Sequence, residues 1–303
     1  MSVALKLIQT IPSLSRAFSI TQVSEGYSAH EKMIIGFKNS EPVMLRLFPL
    51  TDLEMKREEF TILKQLKKLK VNVPEPIDIG TLEGRGYTLY SFIKGAAAQS
   101  ALRTGNGTFN YQMGVDAGRE LKQIHQIKAS SGRGAWSKRA LDKHERYVKS
   151  FRECEIKING EEQILSFIEQ KKTCLDGIAN YLQHDDYHPG NIIVENGQLK
   201  GVIDFNIDWG DPIHDFYKVA LFTSEQSIAF SRGQIHGYFE GESNVTPQFW
   251  ERYALYAAMA IFSSIVWAAR FTPEEVPEMK KRVERIIDEH KGFEDTVPSW
   301  YRN

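Results

Sequence analysis

The chain has 303 residues, of which 42% are hydrophobic and 25% charged, an ordinary globular composition long enough for two packed lobes. Its net charge of -1 gives no reason to expect nucleic acid or an anionic membrane as a partner. The charge is unevenly spread: residues 1–94 carry 13 Lys+Arg against 10 Asp+Glu, and residues 95–303 carry 25 against 29.

The first 24 residues hold Lys6, Arg16 and several serines but no acid, a composition like that of a transit peptide. Pro12 interrupts the segment and no cleavage pattern follows, so an amphipathic first helix with Val3, Leu5, Leu7 and Ile8 as its apolar positions is expected instead. Residues 19–24 and 32–37 then read as two strands around a short polar loop. A glycine there lets backbone amides approach a phosphate, which makes Gly26 and Ser28 candidate nucleotide contacts.

Residues 42–48 form a buried-type strand with one charge, Arg46, at its centre. Thr51 and Glu54 have the spacing of a capping box, opening a helix to about Leu69 whose apolar positions include Phe60, Leu63 and Leu66. Pro74 and Pro76 stop it, and residues 87–93 are a further strand. Beyond Gly95 helical patterns take over, at about 110–126, 138–151, 161–171, 213–222, 247–270 and 273–289. Asn196-Gly197 is a tight-turn signal joining short strands at 191–194 and 199–204. A strand-rich part followed by a helix-rich part predicts an α+β protein of two domains, 1–94 and 95–303, with a hinge near 91–97. No apolar run reaches the roughly 18 residues needed to span a bilayer. Cys154 and Cys174 lack metal-ligand spacing, which predicts reduced thiols and a cytoplasmic protein.

The chemistry is concentrated in Gln183-His184-Asp185-Asp186-Tyr187-His188-Pro189-Gly190-Asn191, followed thirteen residues later by Asp204 at the end of an apolar strand, Gly201-Val202-Ile203. A carboxylate can orient a hydroxyl and accept its proton, and amide and carboxylate oxygens are the hard ligands that magnesium takes. Asp186 fits the base, and Asn191 with Asp204 fits the metal ligands. An antiparallel return at Asn196-Gly197 would bring those two close together.

This pattern, H-x-D-x-x-x-x-N, an apolar strand and I-D-F, resembles the core of kinase-fold small-molecule phosphotransferases: aminoglycoside and macrolide phosphotransferases, choline kinases and homoserine-kinase-like enzymes. The resemblance covers nearly the whole chain. It implies a bilobal protein-kinase-like fold, with a small antiparallel sheet lobe carrying one helix and a larger helical lobe. It also implies ATP (or GTP) and Mg2+ as cofactors. Arg46 falls where kinases usually carry the lysine that grips the α/β-phosphates, a departure that some relatives share, and its guanidinium can hold phosphate oxygens in bidentate fashion. Glu59, with Glu58 as the alternative, matches the helix glutamate that pairs with this cation. Ser91 and Ile93 lie in the segment whose main-chain groups would bind adenine. Gly210-Asp211-Pro212 and Asp215 match the segment after the metal aspartate, where Asp211 is read as bracing the catalytic loop. His184 and His188 are likewise read as loop braces rather than metal ligands.

Two features bear on the acceptor. Seven carboxylates between residues 183 and 215 face one lysine, Lys200, an excess that would attract a cationic substrate if metal binding and capping do not use it. Phe249, Tyr253, Tyr256 and Trp267 recur at near-helical spacing, the pattern of a core-facing stripe more than of a ligand wall. The expected activity is transfer of a γ-phosphate to a hydroxyl of a small molecule. An aminoglycoside-like antibiotic is the first candidate. The alternatives are a metabolic amino alcohol, sugar or homoserine-like compound, or a catalytically weak nucleotide-binding pseudokinase. A protein kinase is excluded by His-Asp-Asp, by Asp-Phe-Asn and by the absence of Ala-Pro-Glu.

Overall fold

A computed structural model describes residues 8–23, 30–130 and 132–302. Gly26, Ser28 and the apolar positions Val3, Leu5 and Leu7 of the expected first helix lie outside the described residues. The chain forms two units. One comprises the described residues up to Ala96 with Ile193–Glu195 and Lys200–Ile203, and the other comprises the remainder.

The first unit is built on a five-stranded antiparallel sheet of β1 (Ser19–Val23), β2 (Glu31–Gly36), β3 (Val43–Pro49), β4 (Pro76–Leu82) and β5 (Arg85–Ser91), in the order β1-β2-β3-β5-β4. Alternation along the strands sorts the two faces. Met33, Ile35, Leu45, Leu47, Tyr87 and Leu89 point to one side and are buried with Ile8, Ile11, Leu14 and Ala17. Each such side chain contributes about 1.5–3 kcal/mol by leaving water. The opposite face carries Arg46, paired in register with Lys32 of β2 and Thr88 of β5, and is covered by helix α1 (Leu53–Lys68), whose Phe60 ring lies 6.4 Å from that of Tyr90. The expected capping box is not made. α1 starts at Leu53 behind a 3-10 turn, its N-cap is Asp52 without a side-chain cap bond, and Thr51 donates instead to the Asp52 carboxylate at 3.1 Å. Strand β4 was not anticipated, because its prolines read as breakers. As an edge strand it tolerates Pro76, which has no N–H to donate.

The chain passes from one unit to the other within β6 (Ala96–Ala97). Four short strands follow later: β7 (Tyr181–Gln183), β8 (Ile192–Glu195), β9 (Gln198–Val202) and β10 (Asp208–Gly210). β8 and β9 are neighbours joined by Asn196 (φ 51°) and Gly197 (φ 74°), the pair of left-handed residues that a two-residue hairpin turn requires. β7 and β10 pair antiparallel, Gln183 opposite Asp208, and so close the loop that holds residues 184–207.

Helices α2 (Ala98–Thr104), α3 (Gly107–Ile124), α4 (Trp136–Glu153), α5 (Glu161–Lys171), α6 (Ile228–Phe239), α7 (Pro247–Phe271) and α8 (Val276–Glu289) make up most of the second unit. Asn106, Ser227 and Thr246 cap α3, α6 and α7, each accepting from a main-chain N–H three residues on. α3 and α6 pack backbone to backbone. A Cβ on Gly114, Gly118, Gly233 or Gly237 would lie 2.1 Å from a carbonyl oxygen of the facing helix, so only glycine fits. Residues 213–222, expected as one helix, are instead a 3-10 turn (Pro212–Phe216) and a π-helical turn (Val219–Thr223). α7 is long and apolar enough to cross a membrane by length and composition, despite the absence of an uninterrupted apolar run. Most of its apolar positions are nevertheless buried inside the unit, Phe249, Tyr253 and Tyr256 of the expected core stripe among them, while Trp267 is half-buried. Cys154 and Cys174 are free thiols.

Candidate active site

Arg46 is half-buried at the centre of β3, and Glu59, not Glu58, turns inward from α1. Glu59 is engaged within its own helix and by the neighbouring strand β5. Its carboxylate accepts from Lys56 Nζ at 2.5 Å and from the Tyr90 hydroxyl at 3.3 Å. Lys56 lies three residues earlier on the same helix and reaches the carboxylate without leaving it. Burial, and then the Glu59 charge, raises the Tyr90 phenol well above its ordinary pKa, while Arg46 opposes the rise, so both charges act on one hydroxyl. In the 91–97 segment the Ser91 N–H already donates to Glu75 O at 2.9 Å. Among the described residues the main-chain N–H of Ile93 has no backbone partner, which leaves Ile93 as the available donor of the two.

The second unit holds the motif residues on a loop fixed by its own backbone. Asp215, fully buried, accepts the N–H groups of His184 (2.8 Å) and Asp185 (2.7 Å) and meets His125 Nε2 at 2.9 Å. Burial alone would raise its pKa, but the bond and charge of His125 outweigh it and the carboxyl is held below its usual range. The buried His184 accepts the N–H of Asp186 on Nδ1 (3.2 Å), and its ring packs at a tilt against Phe205, centroids 4.3 Å apart. Tyr187 donates to Ala117 O of α3 at 2.7 Å, and His188 Nδ1 accepts from Gly190 N at 3.1 Å. The histidines therefore brace the loop. Asp185 adopts φ 57°, a left-handed strain that these bonds overcome.

So held, Asp186 has both carboxylate oxygens engaged. Asn191 Nδ2 donates to Oδ2 at 2.9 Å and also to the Asp186 main-chain O at 2.9 Å. Lys218 Nζ lies 2.7 Å from Oδ1, and His188 Nε2 lies 3.6 Å from it. Burial pushes the Asp186 pKa up, but His188 and Lys218 together prevail and hold it well below the usual carboxylate range. Because Asn191 turns its NH2 to Asp186, its amide oxygen remains as a hard donor. Asp204 is half-buried two residues past β9, also with a left-handed φ of 57°. Asn191 and Asp204 thus flank the same end of the β8–β9 hairpin. Asp185, His214 and Asp215 also place potential ligand atoms within 4.8 Å of one another, but the Asp215 oxygens are already bonded to the loop and to His125.

Asp211 is structural, and its main-chain O accepts from Gln183 Nε2, at the start of the catalytic run, at 2.6 Å. Its carboxylate accepts from Arg252 (2.9 and 3.0 Å), from the Tyr256 hydroxyl (2.8 Å) and from Ile213 N (3.0 Å), and so ties the segment to α7. Asp215 in turn bonds the main chain of the catalytic loop directly. The acidic excess of this stretch is largely internal: Asp185 accepts from Asn206, Asp208 engages Arg139, and Asp186 engages Lys218.

A family profile described as APH, phosphotransferase enzyme family, matches residues 19–256. The chain belongs to the phosphotransferase enzyme family. No curated protein matches the sequence. Among solved structures, the ADP-bound aminoglycoside phosphotransferase APH(2'')-Ib is 16% identical with a TM-score of 0.65, over 94% of this chain and 99% of that one. A choline/ethanolamine kinase family protein from Mesorhizobium loti is 14% identical with a TM-score of 0.67, over 97% and 96%. The amicoumacin kinase hAmiN is 14% identical with a TM-score of 0.61, over 97% and 96%. At these identities the likeness is one of fold, and the fold is the protein-kinase-like one.

Sequence reasoning missed two residues of this phosphotransferase. Lys56 carried a usable signal, its i,i+3 spacing to Glu59 on the buried side of α1. Lys218, 32 positions from Asp186, carried none, because the pairing arises only when the turn after Asp215 folds back onto the loop.

Proposed function

We propose that the chain transfers the γ-phosphoryl group of ATP (or GTP) to a hydroxyl of a small molecule, with Asp186 as the base. The observation that carries this reading is the fixed, ionised Asp186 carboxylate, anchored by Asn191 in a loop whose backbone is clamped by Asp215. The acceptor oxygen forms a bond to the γ-phosphorus and the bond from that phosphorus to the β,γ-bridging oxygen breaks. The hydroxyl proton passes to Asp186, and the nucleoside diphosphate leaves with the bond's electron pair. A loose transition state of this kind asks the protein for positioning more than for covalent chemistry.

The Asn191 amide oxygen and the Asp204 carboxylate are the hard donors a magnesium ion takes, and they fit it. Bound there, the metal would neutralise charge on the phosphates. In the first unit Arg46 is our candidate for the α/β-phosphates, with Glu59 supporting that face, and the Ile93 main chain is our candidate for adenine. Support for nucleotide and divalent ion comes from APH(2'')-Ib, which is ADP-bound, and from hAmiN, which is in complex with AMP-PNP and Ca2+.

For the acceptor, the internal engagement of the acids around Asp186 removes the excess charge that would draw a polyamine, and this favours a metabolite over an aminoglycoside. The test is ATP turnover and acceptor mass shift across aminoglycosides, macrolides, amino alcohols, sugars and hydroxy acids. Phosphorylation of at least one acceptor is expected. ATP turnover stimulated by none of them would overturn the reading.

A further inference from the structure

The side chain of Lys218 is 14% exposed, and its ammonium group lies 2.7 Å from Asp186 Oδ1, the oxygen that Asn191 does not engage. Its position is supported by rings: Nζ sits 5.0 Å from the centroid of Tyr217 and 5.3 Å from that of Phe222. Phe222 is also faced by His188 at 5.6 Å and by the Arg282 guanidinium at 5.4 Å. Arg282 is paired with Glu225 and Arg285 with Glu289, so those two cations are locally neutralised by their own carboxylates. Lys218 is paired with Asp186 itself.

We propose that Lys218 is a positioning and specificity residue: it fixes Asp186 Oδ1, and it restricts the acceptor to hydroxyl compounds that are uncharged or anionic beside the reacting hydroxyl. The inference rests on Asp186 being the base. A hydroxyl that reaches Asp186 on the Lys218 side must come within a few ångströms of Nζ. At about 4 Å two like charges repel by an amount that corresponds to roughly fivefold in water and far more at a partly buried site. An ammonium group on the neighbouring carbon of the acceptor meets that repulsion, whereas a carboxylate there meets attraction. The base's own negative charge, which would otherwise recruit a cation, is cancelled by the same lysine.

The experiment uses acceptors of one shape and three charges: glucuronate, glucose and glucosamine, with glycerate, glycerol and 3-aminopropane-1,2-diol as a smaller set. Full-length wild type, Lys218→Met, Lys218→Arg and Lys218→Glu are compared, each first checked by thermal melting. For the wild type, kcat/KM, or inhibition of ATP turnover where an analogue is not itself phosphorylated, should favour the anionic and neutral members over the cationic one by at least about tenfold. Lys218→Met should lower kcat while leaving KM for ATP unchanged and should flatten the charge order. Lys218→Arg should restore both, and Lys218→Glu should favour the cationic members. A wild-type preference for the cation, no charge order in either readout, or an order that Lys218→Glu does not change would overturn the proposal. Failure of the underlying reading is separate: it appears as ATP turnover that no acceptor of any class stimulates, in every variant.

Discussion

The carboxylate of Asp215 accepts the main-chain N–H of His184 at 2.8 Å, from 31 residues further along the chain and with no exposure to solvent. Its other oxygen holds Asp185 N, and His125 closes the set from the end of α3. The geometry of Asp186 therefore depends on a buried residue that does not touch it.

Asp215→Ala should destabilise the protein by about 3–5 kcal/mol, because it leaves His125 and two buried N–H groups without their acceptor. Urea unfolding at neutral pH measures this. A loss under about 1 kcal/mol would mean that water or a neighbour replaces the carboxylate, against the role assigned to it.

Acid should weaken the fold through His144 and His290, whose pKa values burial pushes down to about 4. Both start from 6.5, so between pH 6.5 and 4 the unfolded chain binds protons that the native one does not. Their contribution is thus fully present above pH 6.5 and is lost as pH falls toward 4, by up to about 1.4 kcal/mol per pH unit for each. His144→Leu should reduce the slope of unfolding free energy against pH over this window by roughly one proton's worth. An unchanged slope would show that His144 already titrates normally in the native state.

The contact between α3 and α6 also supports the loop, since α3 carries Ala117, which accepts from Tyr187, and ends at His125. Gly118→Ala would place a methyl group 2.1 Å from Gln234 O. The expected cost is about 1–3 kcal/mol, as for other overpacked sites, read as a lower melting temperature. No change would mean that the helices separate freely.

Much of this was legible in the sequence where local chemistry decides structure. Asn196-Gly197 can hardly be other than a tight turn, and the spacing from Asp186 to Asn191 and Asp204 carried the site. Elements whose form is set by distant partners were not legible. α6 has Gly233 and Gly237 against α3 and buried Gln234 and His236, so it shows no amphipathic period. Residues 213–222 look helical but form a 3-10 turn capped by Asp211 and then a π turn, with Asp211 and Asp215 both buried. The acidic stretch read as an attraction for cations because sequence cannot show Arg252, His125 and Lys218 arriving from elsewhere.

The most direct test of the central claim is Asp186→Ala, assayed by single-turnover phosphate transfer alongside nucleotide binding with magnesium. Transfer should fall by about 10²–10⁴, with nucleotide affinity and melting temperature essentially unchanged. Transfer at the wild-type rate by a folded Asp186→Ala protein would contradict the assignment of Asp186 as the base.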